Sequence, residues 1–472
     1  MPDNHVDIYS IDAGLVTAPA GCGKTHLICE ALARHKDAKP VLLLTHTNAG
    51  VAALRSRLNR FGVSPRAYRL STLDGIAMRL VGIFPKRSGV NPDVLRLDNP
   101  RTDYPDIRSA ACKLLSEGHV HDIFRATYSR LIVDEYQDCC VDQHLFVSDV
   151  ALALPTCVLG DPLQAVFEWL GLPDWNAVRD RFPDAGELTT PWRWLNAGAE
   201  DFGRWLLEVR RKLLHREAVD FAESPEEVSW VYLDDTVGCH QCQLQAARTR
   251  APSSEGTVLI IADSKKPDEQ RKFASQTPGA VTVESVDLRD LISFARSLDF
   301  ASPDALYKLI DFASDVMRNV GAANLVKRIE SLERGTARRE ATDVENAALN
   351  FKRDPSPNAA IDLLVEINKD IGVTSHRPAV LRACIKSLRS CGCDGGASFY
   401  EAAVCAREQN RLLGRSLPKR AVGSTLLLKG LEADVSVVLN ASIHSAKSLY
   451  VAITRGSQRL VICSRNPVWS QY

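Results

Sequence analysis

The sequence predicts an α/β protein of two lobes, each with a parallel sheet, with a short insertion in the first lobe and a helical insertion in the second. Short apolar runs alternate with helical patterns in both halves of the chain, and a glycine-rich loop directly follows the first run. This alternation is typical of parallel sheets, in which a helix usually connects neighbouring strands. The chain has 472 residues, 45% of them hydrophobic, so it can form several packed cores.

The first lobe is predicted to span residues 1–190. Its apolar runs are Gly14–Thr17, Val41–Leu44, Leu131–Val133 and Cys157–Leu159. The carboxyl ends of parallel strands meet at one edge of a sheet, and ligands bind there. The residues expected at that edge are Thr45, Asp134, Glu135, Gly160 and Asp161. A proline- and charge-rich stretch at 76–124 interrupts the alternation, so we predict a small insertion there.

The second lobe is predicted at residues 191–287 and 414–472. Its strand candidates are Val258–Ala262, Val281–Val283, Thr425–Leu428, Val435–Leu439 and Leu460–Cys463. Residues 288–413 between them have helical periodicity, because apolar residues recur three and four positions apart, as at Leu306, Leu309 and Ile310. We therefore predict a helical insertion subdomain within the second lobe.

The segment Ala18–Thr25, with the sequence APAGCGKT, has the pattern of a loop that binds nucleotide phosphates. Its glycines allow a tight turn in which backbone N–H groups and the next helix N-terminus face an anion. We expect the Lys24 ammonium to contact the terminal phosphates of ATP and the Thr25 hydroxyl to bind Mg²⁺. The residues predicted to bind ATP here are Ala18, Pro19, Ala20, Gly21, Cys22, Gly23, Lys24, Thr25 and His26. An ordinary helix start is the alternative, which the order of strand, loop and helix disfavours.

Two adjacent carboxylates follow the run Leu131–Val133. In such an arrangement one carboxylate can hold Mg²⁺ while the other polarises an attacking water. We therefore predict Asp134 as a metal ligand and Glu135 as the catalytic base. Paired acids at a strand end can also be surface charges, but the phosphate-binding pattern upstream favours the catalytic role.

The overall charge disfavours a protein that coats nucleic acid without specificity. The chain has 58 basic and 58 acidic residues, so any attraction to DNA must come from a local groove. No apolar stretch reaches the roughly 20 residues that span a bilayer, and the polar segment Met1–Asp7 does not resemble a signal peptide. We therefore expect a cytoplasmic protein with no membrane partner.

The 13 cysteines are scattered, which favours reduced thiols over a disulfide framework. Only two pairs, Cys239/Cys242 and Cys391/Cys393, have spacings typical of metal ligands. Since the pairs lie far apart and lack a zinc-ribbon interval, packed or surface thiols are favoured over a shared metal.

The densest basic stretch falls on a predicted helix. Its members are Arg204, Arg210, Arg211, Lys212 and Arg216. A solvated helix face is the commoner explanation for such a run, so no binding role is assigned to it.

A resemblance becomes specific at Val158–Trp169, with the sequence VLGDPLQAVFEW, which is similar to motif III of superfamily 1 helicases of the UvrD, Rep and PcrA type. Further segments are similar to other motifs of this family in the expected order. They are Thr45–Ala49, Ser71–Gly75, Thr190–Arg193, Lys429–Glu432 and Leu449–Gly456. The resemblance implies two RecA-like P-loop lobes and an ATP hydrolase that acts on DNA.

The resemblance also implies roles for individual residues. Gln164 would couple the γ-phosphate to DNA, and Arg193 and Arg455 would neutralise charge on the transferring phosphoryl group as arginine fingers. Trp192 would stack on adenine, and Glu432 would contact the ribose. The residues implied to bind DNA are Thr45, Asn48, Thr72, Phe167 and Trp169. Read alone, each aromatic could equally be a core residue.

One departure from the family pattern motivates a second function. Motif V reads Ser424–Leu428, STLLL, where the family commonly has Thr-Leu-His-Ser-Ala, so leucines replace hydroxyl and imidazole contacts to DNA. The glutamine-containing segment that the family has upstream of the phosphate loop is also missing, which bears on the selectivity for adenine. The leading hypothesis is an ATP-dependent helicase or translocase on single-stranded or partly duplex DNA, moving 3′ to 5′ by resemblance. The alternative is a nucleotide- and DNA-sensing regulatory subunit of a nuclease complex with little unwinding of its own. A small-molecule P-loop kinase is disfavoured, because it has no use for the two arginines and motif III.

The compact form of the chain resembles the helicase-like subunit of Gabija-type anti-phage systems. That resemblance rests on size and on the short insertions. It implies a partner of the OLD nuclease family and a role in anti-phage defence or DNA repair.

Overall fold

The computed structural model describes residues 6–167, 171–234, 238–284, 288–391, 398–412 and 418–470. Its strands are β1 (Ala13–Thr17), β2 (Val41–Thr45), β3 (Tyr68–Thr72), β4 (Leu131–Val133), β5 (Thr156–Gly160), β6 (Asp184–Glu187), β7 (Val219–Asp220), β8 (Val228–Tyr232), β9 (Val258–Ala262), β10 (Val281–Thr282), β11 (Met317–Arg318), β12 (Thr374–Ser375), β13 (Arg420–Ser424), β14 (Ala433–Val438), β15 (Gly456–Ser464) and β16 (Val468–Trp469).

The α-helices are α1 (Lys24–Ala33), α2 (Asn48–Arg60), α3 (Leu73–Ile83), α4 (Pro85–Ser88), α5 (Pro100–Ser116), α6 (His121–Thr127), α7 (Val141–Val150), α8 (Trp175–Arg181), α9 (Trp192–Asn196), α10 (Glu200–Leu214), α11 (Gly238–Ala247), α12 (Pro267–Gln276), α13 (Arg289–Ser297), α14 (Ala305–Val316), α15 (Ala322–Glu333), α16 (Asp343–Arg353), α17 (Pro357–Lys369), α18 (Pro378–Ser390), α19 (Phe399–Leu412), α20 (Thr425–Leu428) and α21 (Ala446–Ile453).

The predicted α/β class is confirmed, since the chain forms two six-stranded sheets and many helices. Two compact units can be distinguished. The first unit comprises Met1–Leu233 and Glu432–Tyr472, and the second comprises Asp234–Leu431. The predicted first lobe, residues 1–190, lies within the first unit, and the predicted helical insertion, residues 288–413, lies within the second.

The main sheet of the first unit has the order β3-β2-β4-β5-β1-β6, and its strand pairs are parallel. The strands predicted in this lobe are confirmed, and the sheet gains β3 and β6. Strands β1 and β4 both pair with β5. The loop after β1 and the carboxylates after β4 therefore reach the same edge of the sheet.

Both faces of this sheet are buried, as expected when helices cover a parallel sheet. Along β1, Leu15 packs into one apolar cluster and Val16 into another. Along β4, Val133 joins the first cluster and Ile132 the second. The alternation follows from the two-residue period of a strand, and it fixes the register that positions the edge residues.

The predicted insertion at 76–124 is helical. Its longest helix, α5, contributes Ile107 and Leu114 to the same apolar cluster as Leu15, and both are fully buried. The Arg108 guanidinium donates to both carboxylate oxygens of Asp74 at 2.7 and 2.8 Å, and Asp74 lies in the first turn of α3. Packing and this ion pair therefore hold α5 against α3.

The first unit also contains β14, β15 and β8, which pair in parallel in that order. The strand candidates Val435–Leu439 and Leu460–Cys463 are confirmed, with shifted ends. In the second unit, β10, β13 and β9 pair in parallel, so Val258–Ala262 and Val281–Val283 are also confirmed as strand positions. Helices α13 to α19 of the second unit share one apolar core that includes Leu309, Phe351 and Leu364.

The strand prediction at Thr425–Leu428 is wrong, because these residues form the single turn of α20 and the strand is Arg420–Ser424. The Ser424 hydroxyl accepts a hydrogen bond from the backbone N–H of Leu427 at 3.3 Å, which caps the helix. A short apolar run has no distinguishing period, so the cap at Ser424 was the more informative signal.

Membrane and metal features can be assessed over the described ranges. No helix there is both long and apolar enough to cross a bilayer. The same residues contain no cluster of three or more His, Cys, Asp or Glu side chains arranged to hold a metal ion. Cys239, Cys242 and Cys391 form no disulfide within the described residues, and Cys393 lies outside them.

A buried histidine lies in the second unit. His376 is only 4% exposed to solvent, and its Nδ1 has no hydrogen-bond partner among the described residues. Its backbone C=O accepts from Thr282 N–H at 2.8 Å, which ties it to β10. Burial, reinforced by the nearby Arg318 and Arg377, lowers the pKa of His376 from 6.5 to about 4.

This shift predicts an acid-labile second unit. The unfolded chain binds a proton at His376 near pH 6.5 and the folded chain only near pH 4, so the stabilisation is present above pH 6.5 and is lost as pH falls toward 4. We expect His376→Gln to reduce the acid-induced loss of unfolding free energy by up to about 3 kcal/mol. Urea unfolding followed by circular dichroism at pH 7.5 and pH 4.5 measures this difference. Replacement of the exposed His215 by Gln is the control, and a His376→Gln variant as acid-sensitive as wild type would contradict the assignment.

Candidate nucleotide-binding and hydrolytic site

The loop between β1 and α1 has the backbone of an anion cradle. Gly21 and Gly23 adopt left-handed φ angles of 71° and 90°, which glycine tolerates best. Gly23 precedes α1 without any side-chain cap, so N–H groups of the first helical turn remain open to a ligand. Burial raises the pKa of the Cys22 thiol to about 12. Cys22 is therefore neutral at physiological pH and adds no negative charge to the loop.

Lys24 lies between the two carboxylates that the sequence singled out. Its Nζ is 2.9 Å from Asp134 Oδ1 and 2.5 Å from Glu135 Oε1. Burial alone would lower the pKa of Lys24, but Asp134 and Glu135 raise it above its usual value. Burial raises the pKa of Asp134, although Lys24 opposes this effect. The three side chains together carry one positive and two negative charges, so this cluster taken by itself has a net negative charge.

Glu135 is held in an unusual conformation. Its φ is +57°, in the left-handed region that non-glycine residues seldom adopt, and its backbone N–H bonds Asp134 Oδ1 at 3.0 Å. Gln137 Nε2 donates to Glu135 Oε2 at 2.5 Å, and Gln137 Oε1 accepts from Asp161 N–H at 3.2 Å. A Cβ at Gly160 would lie 2.8 Å from Gln137 Oε1, so a larger residue there would force this amide to shift. Gln137 thus connects the two strand ends.

Gln164 lies in the 3₁₀ turn Pro162–Gln164 and is 8% exposed. Its Nε2 donates to the C=O of Ala18 at 3.5 Å and to Asp161 Oδ2 at 3.4 Å. Both of these bonds are long, and they place the amide beside the first residue of the phosphate loop.

Arg193 contacts the phosphate loop through its backbone. Its N–H donates to the C=O of Gly21 at 3.1 Å. Its guanidinium donates to the C=O of Thr454 and to Glu432 Oε1, each at 2.6 Å. The residue therefore joins three segments that are distant in sequence.

Arg455 is buried in the same unit. Its Nε donates to the C=O of Val451 at 2.8 Å. Burial, together with the positive charge of Arg193, lowers the pKa of Arg455 to about 10, while Glu432 and Glu135 act in the opposite direction. Two guanidiniums and Glu135 therefore lie close enough to influence each other.

Two aromatic residues that the site prediction missed also bind the phosphate loop. Trp194 Nε1 donates to the C=O of Gly456 at 2.9 Å. Its ring lies so close to Gly21 that a Cβ on that glycine would be 2.4 Å from Trp194 Cζ3. The Tyr450 hydroxyl accepts from Ala20 N–H at 3.3 Å. A large aromatic directly after a predicted arginine finger, and a tyrosine within the motif VI segment, were the available sequence signals.

The residues implied to bind the nucleoside lie beside α1. Trp192 is 48% exposed, and its Cδ1 would be 3.0 Å from a Cβ at Gly23. His26 is exposed and meets Phe61 edge-on, with ring centroids 5.1 Å apart. Glu432 also lies 3.6 Å from Arg57. The site prediction missed Arg57, in the last turn of α2, and Phe61, directly after that helix, because no local motif marks them.

The residues implied to bind DNA have mixed surroundings. Thr45 and Thr72 are register partners at the ends of β2 and β3, but Thr45 is only 1% exposed. The Thr72 hydroxyl caps α3 by accepting from Gly75 N–H at 2.9 Å. Asn48 is exposed at the start of α2. Phe167 is partly buried, and its ring meets that of His46 at 5.7 Å.

Trp169, the fifth of these residues, lies outside the described residues. The DNA-binding assignment therefore remains a prediction for all five positions.

Arg210 is the charged residue that the sequence interpretation placed wrongly. A solvated helix face describes Arg204 and Arg211, which are exposed, but Arg210 is 8% exposed. Its Nε and Nη2 donate to the two oxygens of Asp161 at 3.2 and 3.3 Å. The available signal was its position, four residues after the buried Leu206 on the apolar stripe of α10.

Comparison with known proteins gives a family for part of the chain. Residues 95–172 match the family model described as UvrD/REP helicase N-terminal domain. Among solved structures, the chain is similar to the Arterivirus nonstructural protein 10 helicase in complex with DNA, at 12% identity and a TM-score of 0.28. That alignment covers 54% of this chain and 48% of the viral chain, so the chain spans about half the length of that structure. None of the curated proteins matches the sequence.

The contact between Gly21 and Trp194 predicts a steric effect that can be separated from backbone strain. Gly21 and Gly62 both have φ +71°, but a Cβ at Gly62 has no atom within 4 Å. We expect Gly21→Ala to weaken binding of a fluorescent ATP analogue roughly tenfold or more, because the methyl group displaces the indole. Gly62→Ala is the control, and it should cost about 1–2 kcal/mol of stability without changing binding. If both variants bound the ATP analogue equally well, the contact between Gly21 and Trp194 would not be needed for nucleotide binding.

Proposed function

We propose that the chain is an ATP-dependent helicase or translocase, because residues 95–172 match the model of the UvrD/REP helicase N-terminal domain. In this proposal it hydrolyses ATP on single-stranded or partly duplex DNA. The observation that carries the proposal is the position of Lys24, whose Nζ contacts both Asp134 and Glu135 directly after the glycine cradle. A phosphate-binding cation and two carboxylates in one pocket are the parts that phosphoryl transfer to water requires.

The residues around Lys24 fit ATP with Mg²⁺. The uncapped start of α1 and the left-handed glycines suit a polyphosphate. Burial raises the pKa of Asp134 even with Lys24 in contact, so the carboxylates can accept a further cation. Thr25 and Asp134 would hold Mg²⁺, which when bound would neutralise charge on the phosphates. Lys24 would then turn toward the terminal phosphates.

Hydrolysis is assigned to residues already near the cradle. Glu135 would orient and deprotonate the attacking water, and its short bond from Gln137 fixes the carboxylate for that task. Gln164, whose Nε2 lies 3.5 Å from the C=O of Ala18, would sense the γ-phosphate. Arg193 and Arg455 would stabilise the negative charge of the transition state, an effect worth about 10³- to 10⁵-fold in other phosphoryl-transfer enzymes.

The nucleoside would lie on the partly exposed Trp192, near His26 and Glu432. DNA would contact Thr45, Asn48, Thr72, Phe167 and Trp169. Movement in the 3′ to 5′ direction and a role in anti-phage defence or DNA repair are supported by the family resemblance alone. The same holds for a partner of the OLD nuclease family. A cytoplasmic location is proposed from the lack of a long apolar stretch and from the polar segment Met1–Asp7.

The central test of the proposal is hydrolysis stimulated by DNA. We expect single-stranded DNA to accelerate ATP hydrolysis, and Lys24→Ala and Glu135→Gln each to reduce the stimulated rate by roughly 100-fold or more. Glu135→Gln should still bind the nucleotide, because it leaves the cradle intact. Phosphate release measured with and without oligonucleotide decides the outcome, with Lys36→Ala on the exposed surface as the control. A rate that ignores DNA, or full activity in Lys24→Ala, would refute the proposal.

One observation favours the alternative of a sensing subunit. The motif V segment forms the short helix α20, in which the Ser424 hydroxyl caps the turn and Leu428 is buried. These side chains are engaged within the second unit, which leaves fewer polar groups in this segment to grip a DNA strand. A chain with a weak grip would bind DNA and nucleotide without separating strands.

A strand-displacement assay distinguishes the two functions. The helicase proposal predicts ATP-dependent separation of a partial duplex with a 3′ single-stranded tail, and little separation of the matched duplex with a 5′ tail. Binding of both substrates without separation would favour the regulatory role. Robust unwinding by the isolated chain would exclude that role.

A further inference from the structure

We infer that Arg210 is a positioning residue for the proposed hydrolysis, acting through Asp161 on the side-chain amides of Gln164 and Gln137. The inference rests on the proposed function and deepens it. No motif assigns Arg210 a role, and it contacts neither of the carboxylates at Lys24 in the described residues.

Arg210 spans two strand ends of the first unit. Its guanidinium donates to both oxygens of Asp161, which follows β5, and Nη1 donates at 2.7 Å to Glu187, the last residue of β6. Strands β5 and β6 lie on either side of β1, whose carboxyl end leads into the phosphate loop. The three bonds therefore fix the spacing of the strand ends that flank this loop.

The ion pair lies beside the phosphate loop. Burial raises the pKa of Cys22 to about 12. The largest effects after burial come from Arg210, which lowers this pKa, and from Asp161, which raises it. Burial also raises the pKa of Tyr450, on which the same two residues act. A direct geometric link is Gln164 Nε2, which donates both to Asp161 Oδ2 and to the C=O of Ala18, the first residue of the loop.

Stability alone does not account for this arrangement. Asp161 is fully buried and the Arg210 side chain is 9% exposed, so both ions have lost most of their hydration. Replacement of such a pair by apolar residues is often neutral or stabilising, because desolvation offsets the attraction. A bidentate guanidinium instead confers a defined geometry on the carboxylate.

Asp161 forms hydrogen bonds with two side-chain amides, those of Gln164 and Gln137. Its Oδ2 accepts from Gln164 Nε2 at 3.4 Å, and its backbone N–H donates to Gln137 Oε1 at 3.2 Å. Gln137 in turn bonds Glu135, the proposed base. Without Arg210, the Asp161 carboxylate would be an uncompensated buried charge that competes for the Gln164 amide. Gln164 would then be drawn away from the γ-phosphate.

The test compares Arg210→Gln, Arg210→Lys and the double variant Arg210→Gln/Asp161→Asn in DNA-stimulated ATP hydrolysis. We expect Arg210→Gln to lower kcat by about 10- to 100-fold, with KM for ATP nearly unchanged. Arg210→Lys should recover little, because an ammonium cannot bind both oxygens of Asp161. The double variant should regain part of kcat, because it removes the uncompensated charge. Arg211→Gln, on the exposed face of the same helix, is the control.

A second readout does not depend on turnover. In wild type, magnesium with ATPγS should raise Tm more than magnesium with ADP, because Gln164 responds to the γ-phosphate. Arg210→Gln should lose this difference and the double variant should restore part of it. If wild type shows the Tm difference without hydrolysing ATP and Arg210→Gln loses that difference, the proposed function is refuted while the effect of Arg210 on Gln164 is supported. An Arg210→Gln variant that keeps both kcat and the Tm difference would overturn the inference, as would loss explained entirely by a smaller folded fraction in circular dichroism.

Discussion

The contact of Lys24 with Asp134 and Glu135 is the interaction on which the site depends. One ammonium contacts two carboxylates in a pocket where burial already disfavours charge on Asp134. Removing the Lys24 charge would leave both carboxylates without this contact, which is more costly in a buried pocket than in water. The sheet order creates this contact, because β1 and β4 both flank β5 and deliver their following residues to one edge.

Around this centre the charge is mainly positive. Arg193 and Arg57 both contact Glu432. Burial would raise the pKa of Glu432, but the arginines around it, Arg193 first, lower it below its usual value. Arg455 shows the complementary effect, because burial and its proximity to Arg193 depress its pKa to about 10. Guanidiniums crowded in this way are stabilised by a polyanion, which suits the proposed triphosphate ligand.

The parts of the site that sequence could predict are those encoded by neighbouring residues. The glycine loop before α1 and the acids after β4 each lie within a few positions along the chain, and the structure brings them together. Arg210 and Trp194 act through partners far away in sequence, and a residue type alone does not reveal such packing. Arg210 also looked like one member of a basic run, although the helical period placed it on the buried stripe of α10.

Arg193 gives the site a mechanical property. Its main-chain N–H holds Gly21 and its guanidinium holds the carbonyl of Thr454, the residue next to Arg455. A displacement of either Gly21 or Thr454 would therefore strain a hydrogen bond of the same residue. Through Arg193, the conformation of the glycine loop and that of the turn before Arg455 depend on each other.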